Sequence, residues 1–189
     1  MGAIETPTRL KLSIDQYYRM AEAGVLAPQA RVELIDGAIY EMAPLGSLHA
    51  ALVDQLHRVL LLRLHPRAIV GCQRPVQLSG FSEPVPDIAV IRPREDGYRT
   101  RHPDAGDVLL LIEVADTSLR FDSTIKRALY AEHGIRECWT VDAKARTIEV
   151  CRGPTGDGYT SVERVDRQGR MDILAFPGEQ FDVAELLPE

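Results

Sequence analysis

The feature that most restricts the fold is an uninterrupted apolar run, Val108 to Ile112, which is followed by the segment Glu113 to Asp116. Consecutive apolar residues cannot alternate between a buried and a solvated face, so the run is typical of a strand covered on both sides. Such strands lie at the centre of α/β sheets. Glu113 then either points into solvent as the strand ends, or is a carboxylate at the lip of the sheet that needs a hydrogen-bonding partner or a cation.

Length and composition favour one globular domain. The chain has 189 residues, of which 45% are hydrophobic and 26% are charged, which is enough for a sizeable core without disulfide or metal staples. The sequence contains no internal repeat, low-complexity tract or linker. We therefore expect a single domain over residues 1–189.

Charge, apolar runs and cysteines argue against several classes of protein. The formal net charge of −6 counts against broad nonspecific nucleic-acid binding, although a local basic patch is compatible with it. The longest apolar run is too short to span a bilayer, and residues 1–9 lack the apolar segment of a signal peptide, so we expect no membrane partner. Cys72, Cys138 and Cys151 form no CxxC pair, which argues against a zinc site or a disulfide framework and favours the cytoplasm.

The first elements are predicted to be a helix and a hairpin. Ser13 to Ala23 has an N-cap residue and an amphipathic pattern, typical of a helix. Arg31 to Ile35 and Ala38 to Met42 flank Asp36-Gly37, which is the strongest short hairpin signal. Glu33 in this ribbon is either a residue of the solvent face, the commoner case, or an acid directed into a cleft.

A longer helix and a bent strand follow. Leu48 to Leu64 keeps the helical period, and Ser47 can cap it. His49 falls in the first turn, where a histidine is more often a surface or capping residue than a catalytic one. Ile69 to Leu78 is predicted as a strand that bends or lies at an edge at Pro75.

A second carboxylate opens the next strand. Two prolines in Pro84 to Pro86 favour an extended entry, and Asp87 stands directly before Ile88 to Ile91. If this strand is an antiparallel neighbour of the strand that ends near Glu113, the two carboxylates meet at one edge of the sheet.

A charged loop joins these two strands. It contains Arg92, Arg94, Arg99 and Arg101 together with several acids. Most charged segments of this kind are solvated loops, but the same arginines could also hold a phosphate backbone.

The rest of the chain is predicted to add one helix, three strands and a short final helix. Residues between Thr117 and Asp122 include several capping candidates for a helix from Ser123 to His133, which Gly134 ends. This helix returns Lys126 towards the end of the Glu113 strand. The later elements are strands Glu137 to Asp142, Thr147 to Cys151 and Tyr159 to Val165, a turn from Gly153 to Gly158, and a helix capped by Asp182.

Asp87, Glu113 and Lys126 together suggest phosphodiester chemistry. Two carboxylates supply the hard oxygen ligands that Mg²⁺ and Mn²⁺ prefer, and an ammonium stabilises charge that develops on a phosphate. The alternative from spacing alone is that these are ordinary strand-end acids and a surface lysine, as in most proteins.

Several segments, taken in order, resemble the Uma-two family of restriction endonuclease domains in the PD-(D/E)xK nuclease superfamily. They are Val-Glu-Leu-Ile-Asp-Gly (32 to 37), Ser-Leu-His (47 to 49), Val-Pro-Asp-Ile-Ala-Val (85 to 90), Leu-Ile-Glu-Val (111 to 114), Lys126, Tyr130 and Gly-Ile-Arg-Glu-Cys-Trp-Thr-Val-Asp (134 to 142). The resemblance runs from about residue 13 to residue 183, which is the expected core of the domain. It implies a restriction-endonuclease-like fold of the α/β (α+β) class: a mixed central sheet flanked by helices, with an N-terminal helix and β-hairpin.

The resemblance also implies roles for individual residues. Asp87 and Glu113 would bind the metal, with the backbone carbonyl of Val114 as a further ligand. The superfamily motif places a lysine two residues after the second acid, where this chain has Ala115, and the resemblance suggests that Lys126 replaces it. Two other catalytic candidates are assigned to the cleft by the same resemblance, Glu33 and His49. The segment Ala115-Asp116-Thr117 also departs from the family's Ser-Pro-like turn.

The expected function is therefore a Mg²⁺-dependent (or Mn²⁺-dependent) endonuclease that hydrolyses phosphodiester bonds of DNA. A homodimer would suit the cutting of both strands. The absent lysine at position 115 and the acidic net charge leave a second hypothesis open: a nuclease-like module that no longer cleaves and instead binds nucleic acid or assembles with proteins.

Overall fold

The computed structural model describes residues 8–27, 29–116 and 122–188. The helices are α1 (Ile14–Glu22), α2 (Ser47–Leu64), α3 (Arg127–Glu132) and α4 (Val183–Leu186), with a 3₁₀ turn at Ala105–Asp107 and a π-helical turn at Asp122–Lys126. The strands are β1 (Val32–Ile35), β2 (Ala38–Glu41), β3 (Ile69–Cys72), β4 (Ile88–Ile91), β5 (Val108–Ala115), β6 (Glu137–Asp142), β7 (Thr147–Thr155), β8 (Gly158–Val165), β9 (Arg170–Ile173) and β10 (Phe176–Asp182). None of the helices in this described part is long and apolar enough to cross a membrane.

Six strands form the central sheet in the order β3-β4-β5-β6-β7-β8. Only the β5–β6 pair is parallel, and the other four pairs are antiparallel. The sheet is therefore mixed and mostly antiparallel, and helices pack on it, as predicted. The apolar run that begins at Val108 lies at the centre of this sheet.

Apolar side chains cover both faces of β4 and β5. Ile88 and Ile112 belong to the core on one face, together with residues of α2, α4 and the β9–β10 hairpin. Ala89 and Leu111 belong to the core on the other face, which includes Tyr130 of α3. Because side chains alternate along a strand, Asp87 and Glu113 share this second face.

The predicted N-terminal helix and β-hairpin are both present in the structure. Ser13 caps α1 in a capping box with Gln16. Asp36 and Gly37 both have positive φ, +48° and +71°, as a type I′ turn requires. A Cβ at Gly37 would lie 2.5 Å from the Cβ of Lys11, so glycine is needed for space as well as for conformation.

Three predicted boundaries are wrong in detail. Helix α2 begins at Ser47 itself, after an N-cap Gly46 that has no side-chain capping bond, so Ser47 is not the cap. The strand predicted to reach Leu78 ends at Cys72, because Gln73 has a φ of +46° and turns the chain. Strand β7 continues through the turn predicted to start at Gly153 and ends at Thr155.

The helix predicted for Ser123 to His133 is present in two parts. It begins as the π-helical turn and continues as α3, and Gly134 follows it with a φ of +73°, as expected for a C-terminal cap. The capping residues predicted at 117–121 lie outside the described residues. Single π turns are frequent at functional sites, and this one ends at Lys126.

The β9–β10 hairpin was not predicted from the sequence. It packs Phe181, which is fully buried, onto the same face of the sheet as α2. Helix α4 follows directly, with Asp182 at its N-cap position but without a side-chain capping bond.

Candidate active site

The antiparallel register of β4 and β5 brings the two acids together. Ile88 pairs with Ile112, so Asp87, one residue before β4, comes to the position opposite Glu113. The backbone N–H of Val114 donates to Oδ2 of Asp87 at 2.8 Å. Both acids are about 4% exposed. Asp87 and Glu113 therefore lie side by side at one edge of the sheet, as predicted.

Two neighbours fix the orientation of the Asp87 carboxylate. The Nε2 atom of His49 lies 2.9 Å from Oδ1, while Val114 occupies Oδ2. His49 is in the first turn of α2 and points inward, so it is not a surface or capping residue. Among the described residues, each oxygen of Asp87 thus has one hydrogen-bonding partner, and a carboxylate oxygen can accept about two bonds.

Glu113 is held by the π-helical turn and α3. The hydroxyl of Tyr130 donates to Oε1 of Glu113, and Nζ of Lys126 lies 3.2 Å from the same oxygen. Complete burial, followed by the negative charge of Glu113, raises the pKa of Tyr130 well above 10.0. Tyr130 is therefore a neutral donor to Glu113 over the whole physiological pH range.

Lys126 also contacts a third acid. Its ammonium lies 3.0 Å from Oε2 of Glu33, and the same oxygen accepts the N–H of Val85 at 3.1 Å. Glu33 is only 2% exposed, so it is the cleft acid of the two alternatives that the hairpin pattern allowed. One ammonium thus faces two buried carboxylates, Glu33 and Glu113. Together with Asp87, the floor of the cleft has more carboxylates than ammonium groups.

The position of the superfamily lysine is filled by a small apolar residue. Ala115 is buried and lies two residues after Glu113 on the same face of β5. Lys126 reaches Glu113 from the π-helical turn instead, as the resemblance suggested. His133, directly after α3, contacts the carbonyl of Leu129 through Nδ1 at 2.9 Å.

These side chains form the floor of a cleft of about 440 Å³. The cleft opens between the β1–β2 hairpin, the loop that leads into α2, and the ends of β4 and β5. Among the described lining residues, five are carboxylates and two, Arg31 and Lys126, carry basic side chains, so this described lining is acidic. The lining residues are Arg31, Glu33, Tyr40, Glu41, Met42, Ala43, Pro44, Leu45, Gly46, His49, Asp87, Glu113, Asp116 and Lys126.

The donors at the floor fit a hard divalent cation. Asp87 and Glu113 supply carboxylate oxygens, and the carbonyl of Val114 faces the same side, because N–H and C=O of one strand residue point to the same neighbour. Mg²⁺ commonly uses one or two carboxylates and keeps several waters. In the described part of the chain, no group of three or more His, Cys, Asp or Glu side chains is arranged as a complete ligand set.

The predicted arginine loop lies elsewhere. It joins the far ends of β4 and β5, and two of its arginines pair with acids of the same loop: Arg94 with Asp96 at 2.6 Å, and Arg101 with Asp107 at 2.8 Å. Among the described residues that line the cleft, none is Arg92, Arg94, Arg99 or Arg101.

Sequence reasoning missed the residues other than Glu33 that the hairpin and the loop after it add to the cleft, among them Arg31 and Tyr40. Tyr40 pairs with Glu33 across the hairpin, so it shares the cleft-facing side of the ribbon. The Asp36-Gly37 turn already fixed this register, and placing Glu33 in the cleft would have located Tyr40 as well.

Comparison with known proteins gives a family and a fold. A model of the Uma2 family, described as "Putative restriction endonuclease", matches residues 14–184. A crystal structure from Anabaena variabilis, described as "a putative nuclease belonging to DUF820", superposes with a TM-score of 0.73 at 18% identity, covering 93% of this chain and 97% of that one. No curated protein matches the chain. The restriction-endonuclease-like fold expected from the sequence is thereby confirmed.

Proposed function

This chain belongs to the Uma2 (Uma-two) family, and from that membership we propose that it is a divalent-metal-dependent endonuclease that hydrolyses phosphodiester bonds of DNA. The family description and the nuclease neighbour support a nuclease role. The observation that carries the proposal is the pairing of two buried carboxylates, Asp87 and Glu113, at the floor of an open cleft. Buried carboxylates side by side are costly unless a cation joins them.

In this proposal Asp87, Glu113 and the Val114 carbonyl hold Mg²⁺ or Mn²⁺. When bound, such an ion neutralises charge on the phosphodiester and activates water as a nucleophile. The acidic cleft repels phosphate, so the ion would also be required for DNA to approach the floor.

The other residues of the cleft floor orient the two metal-binding carboxylates or donate hydrogen bonds to the reacting groups. His49 and the Val114 N–H hold the Asp87 carboxylate in one orientation. Tyr130 does the same for Glu113. The Lys126 ammonium is placed to donate to the attacking water or to a non-bridging phosphate oxygen, and Glu33 holds the ammonium in position.

Two outer features belong to the same proposal. Arg92, Arg94, Arg99 and Arg101 would contact the phosphate backbone outside the cleft; the side chains of Arg94 and Arg101 remain 36% and 37% exposed. Cutting of both strands of a duplex would need a homodimer, with one cleft for each strand.

Plasmid cleavage with and without Mg²⁺ or Mn²⁺ tests the proposal. We expect the wild-type protein to nick supercoiled plasmid only with the ion, and Asp87→Asn and Glu113→Gln to lose about a hundredfold in rate or more. Asp15→Asn, an exposed acid of α1, is the matched control and should cleave normally. Cleavage that survives unchanged in Asp87→Asn would exclude this site as its source.

A nuclease-like module that binds without cutting is the second candidate. Ala115 in place of the motif lysine favours it, as does the engagement of Lys126 by two carboxylates. A calorimetric titration that shows no Mn²⁺ binding by the wild-type protein would favour this alternative, whereas Mn²⁺ binding that is lost in Glu113→Gln would count against it.

A further inference from the structure

The loop between β2 and α2 forms an apolar wall beside the acidic floor. Met42, Ala43, Pro44 and Leu45 line the same cleft as Asp87. Leu45 is 44% exposed, and the chain carries no charged side chain between Glu41 and His49. Exposed apolar side chains at the rim of a site are typical of a surface that contacts a ligand.

Backbone contacts fix this wall in place. The N–H of Met42 donates to the carbonyl of Arg31 at 2.7 Å, and the Arg31 guanidinium donates back to the carbonyl of Ala43 at 2.8 Å. The loop is thus tied at both these points to the base of the hairpin that carries Glu33. Tyr40, directly across the hairpin from Glu33, adds an aromatic ring to the same side of the cleft.

The charges of the described lining residues are unsuited to holding a duplex. Duplex binding depends on the neutralisation of several phosphates by Lys and Arg. Among the described residues, the basic side chains that line the cleft are Arg31, which donates to the carbonyl of Ala43, and Lys126, which pairs with Glu33 and Glu113. Bases that pack on aromatic and apolar side chains add binding affinity without any neutralisation of phosphates. The faces of bases are accessible for such packing only when the bases are unstacked, as in a single strand.

Resting on the nuclease function proposed above, we propose that the DNA strand is unpaired at the cleavage site. A base lies against the wall made by Tyr40, Met42 and Leu45, while the adjoining phosphate reaches Asp87 and Glu113. A cleft of about 440 Å³ has room for a ligand of the size of one nucleotide. The enzyme then prefers single strands, flaps or gaps to intact duplex, and one copy of the chain is enough for each cut.

Equilibrium binding by the wild-type protein with Ca²⁺ in place of Mg²⁺ tests this while every metal-binding carboxylate stays in place, because Ca²⁺ is also bound by oxygen ligands. The probes are a short DNA strand with a central 2-aminopurine and the same strand annealed to its complement. We expect the single strand to bind about tenfold more tightly than the duplex, with 2-aminopurine fluorescence quenched by stacking. The substitution Leu45→Ser or Tyr40→Ala should weaken single-strand binding about tenfold and leave duplex binding unchanged.

Leu62→Ser is the matched control, since Leu62 is 71% exposed on α2 and does not line the cleft. It should bind both probes like the parent. Duplex binding as tight as single-strand binding, or single-strand affinity unaffected by Leu45→Ser, would overturn the inference. Absence of hydrolysis by the wild-type protein counts against the nuclease function alone, because neither binding result depends on cleavage.

Discussion

The ammonium of Lys126 lies 3.2 Å from Oε1 of Glu113, although 13 residues separate the two in the chain. In the superfamily pattern the lysine comes from the strand itself, two residues after the acid. Here Ala115 holds that strand position, and the charge arrives from a π-helical turn. The lysine is thereby placed where it contacts Glu33 as well as Glu113. It is a structural counter-charge as well as a candidate catalytic group.

Lys126→Met should destabilise the metal-free protein by about 3–5 kcal/mol, because it leaves two buried carboxylates without their ammonium. Urea unfolding in EDTA measures the loss. Lys144→Met is the control: its side chain is 68% exposed and its pair with Asp116 should contribute no more than about 1 kcal/mol. Equal free energies of unfolding for the two variants would contradict a counter-charge role for Lys126.

The same substitution should affect metal binding and cleavage in opposite directions. Removing the ammonium increases the negative charge at the floor, so Lys126→Met should bind Mn²⁺ at least as tightly as the wild type while its cleavage rate falls. Added Mn²⁺ should also recover part of the lost unfolding free energy, because the ion binds the folded state. Weaker Mn²⁺ binding in calorimetry would show that Lys126 supports the ion rather than competing with it.

Tyr130→Phe removes one donor to Glu113 and should reduce the unfolding free energy by about 1.5–3 kcal/mol at neutral pH. The folded-state pKa of Tyr130 lies above the ordinary value of 10.0, so the folded state holds this proton more tightly than the unfolded state. That contribution is fully present below pH 10 and is lost as the pH rises from 10 towards the folded pKa. Urea unfolding at a series of alkaline pH values should show that the unfolding free energy falls less steeply with pH in Tyr130→Phe than in the wild type. Equal pH dependences in the two proteins would contradict this role of Tyr130.

The sequence predicted where Glu33, Asp87 and Glu113 stand in the sheet and hairpin because the signals for these elements are local. The Asp36-Gly37 turn fixed the hairpin that carries Glu33, and the apolar run fixed the central strand that carries Glu113. Antiparallel pairing then placed Asp87 beside it. These are consequences of strand register, which a short sequence pattern determines.

The β9–β10 hairpin could not be found in this way. Pro177 and Gly178 interrupt β10, and the pairing with β9 shifts register between Phe176 and Gln180. Such a strand lacks the alternation that identifies a hairpin in sequence. Its place in the fold comes from long-range contacts instead: Phe181 enters the core, and the N–H of Leu174, between the two strands, donates to Glu137.

His49→Gln should weaken Mn²⁺ binding about tenfold or more, with little change in the fold. The Nε2 atom of His49 lies 2.9 Å from one oxygen of Asp87. Residues that orient a metal ligand commonly contribute about 10–100-fold to metal affinity. Calorimetry measures the change. His57→Gln is the control, because His57 lies on the same helix but contacts the carbonyl of Val70. Equal affinities for the two variants would show that Asp87 does not depend on His49.

Arg152→Met tests the contact that joins the unpredicted hairpin to the sheet. The Arg152 guanidinium donates to Oε1 of Glu137 at 2.8 Å and to the side chain and carbonyl of Asp172 in β9. Glu137 is fully buried, so losing this partner leaves a buried carboxylate with only neutral donors and should cost about 3 kcal/mol of unfolding free energy. Arg164→Met, at a 57% exposed side chain 4.0 Å from Asp142, should change the urea midpoint little.

Because the hairpin lies on the face of the sheet opposite Glu113, Arg152→Met should leave Mn²⁺ affinity unchanged at temperatures where the protein is folded. A loss of Mn²⁺ affinity that accompanies the loss of stability would mean that the two faces of the sheet are coupled.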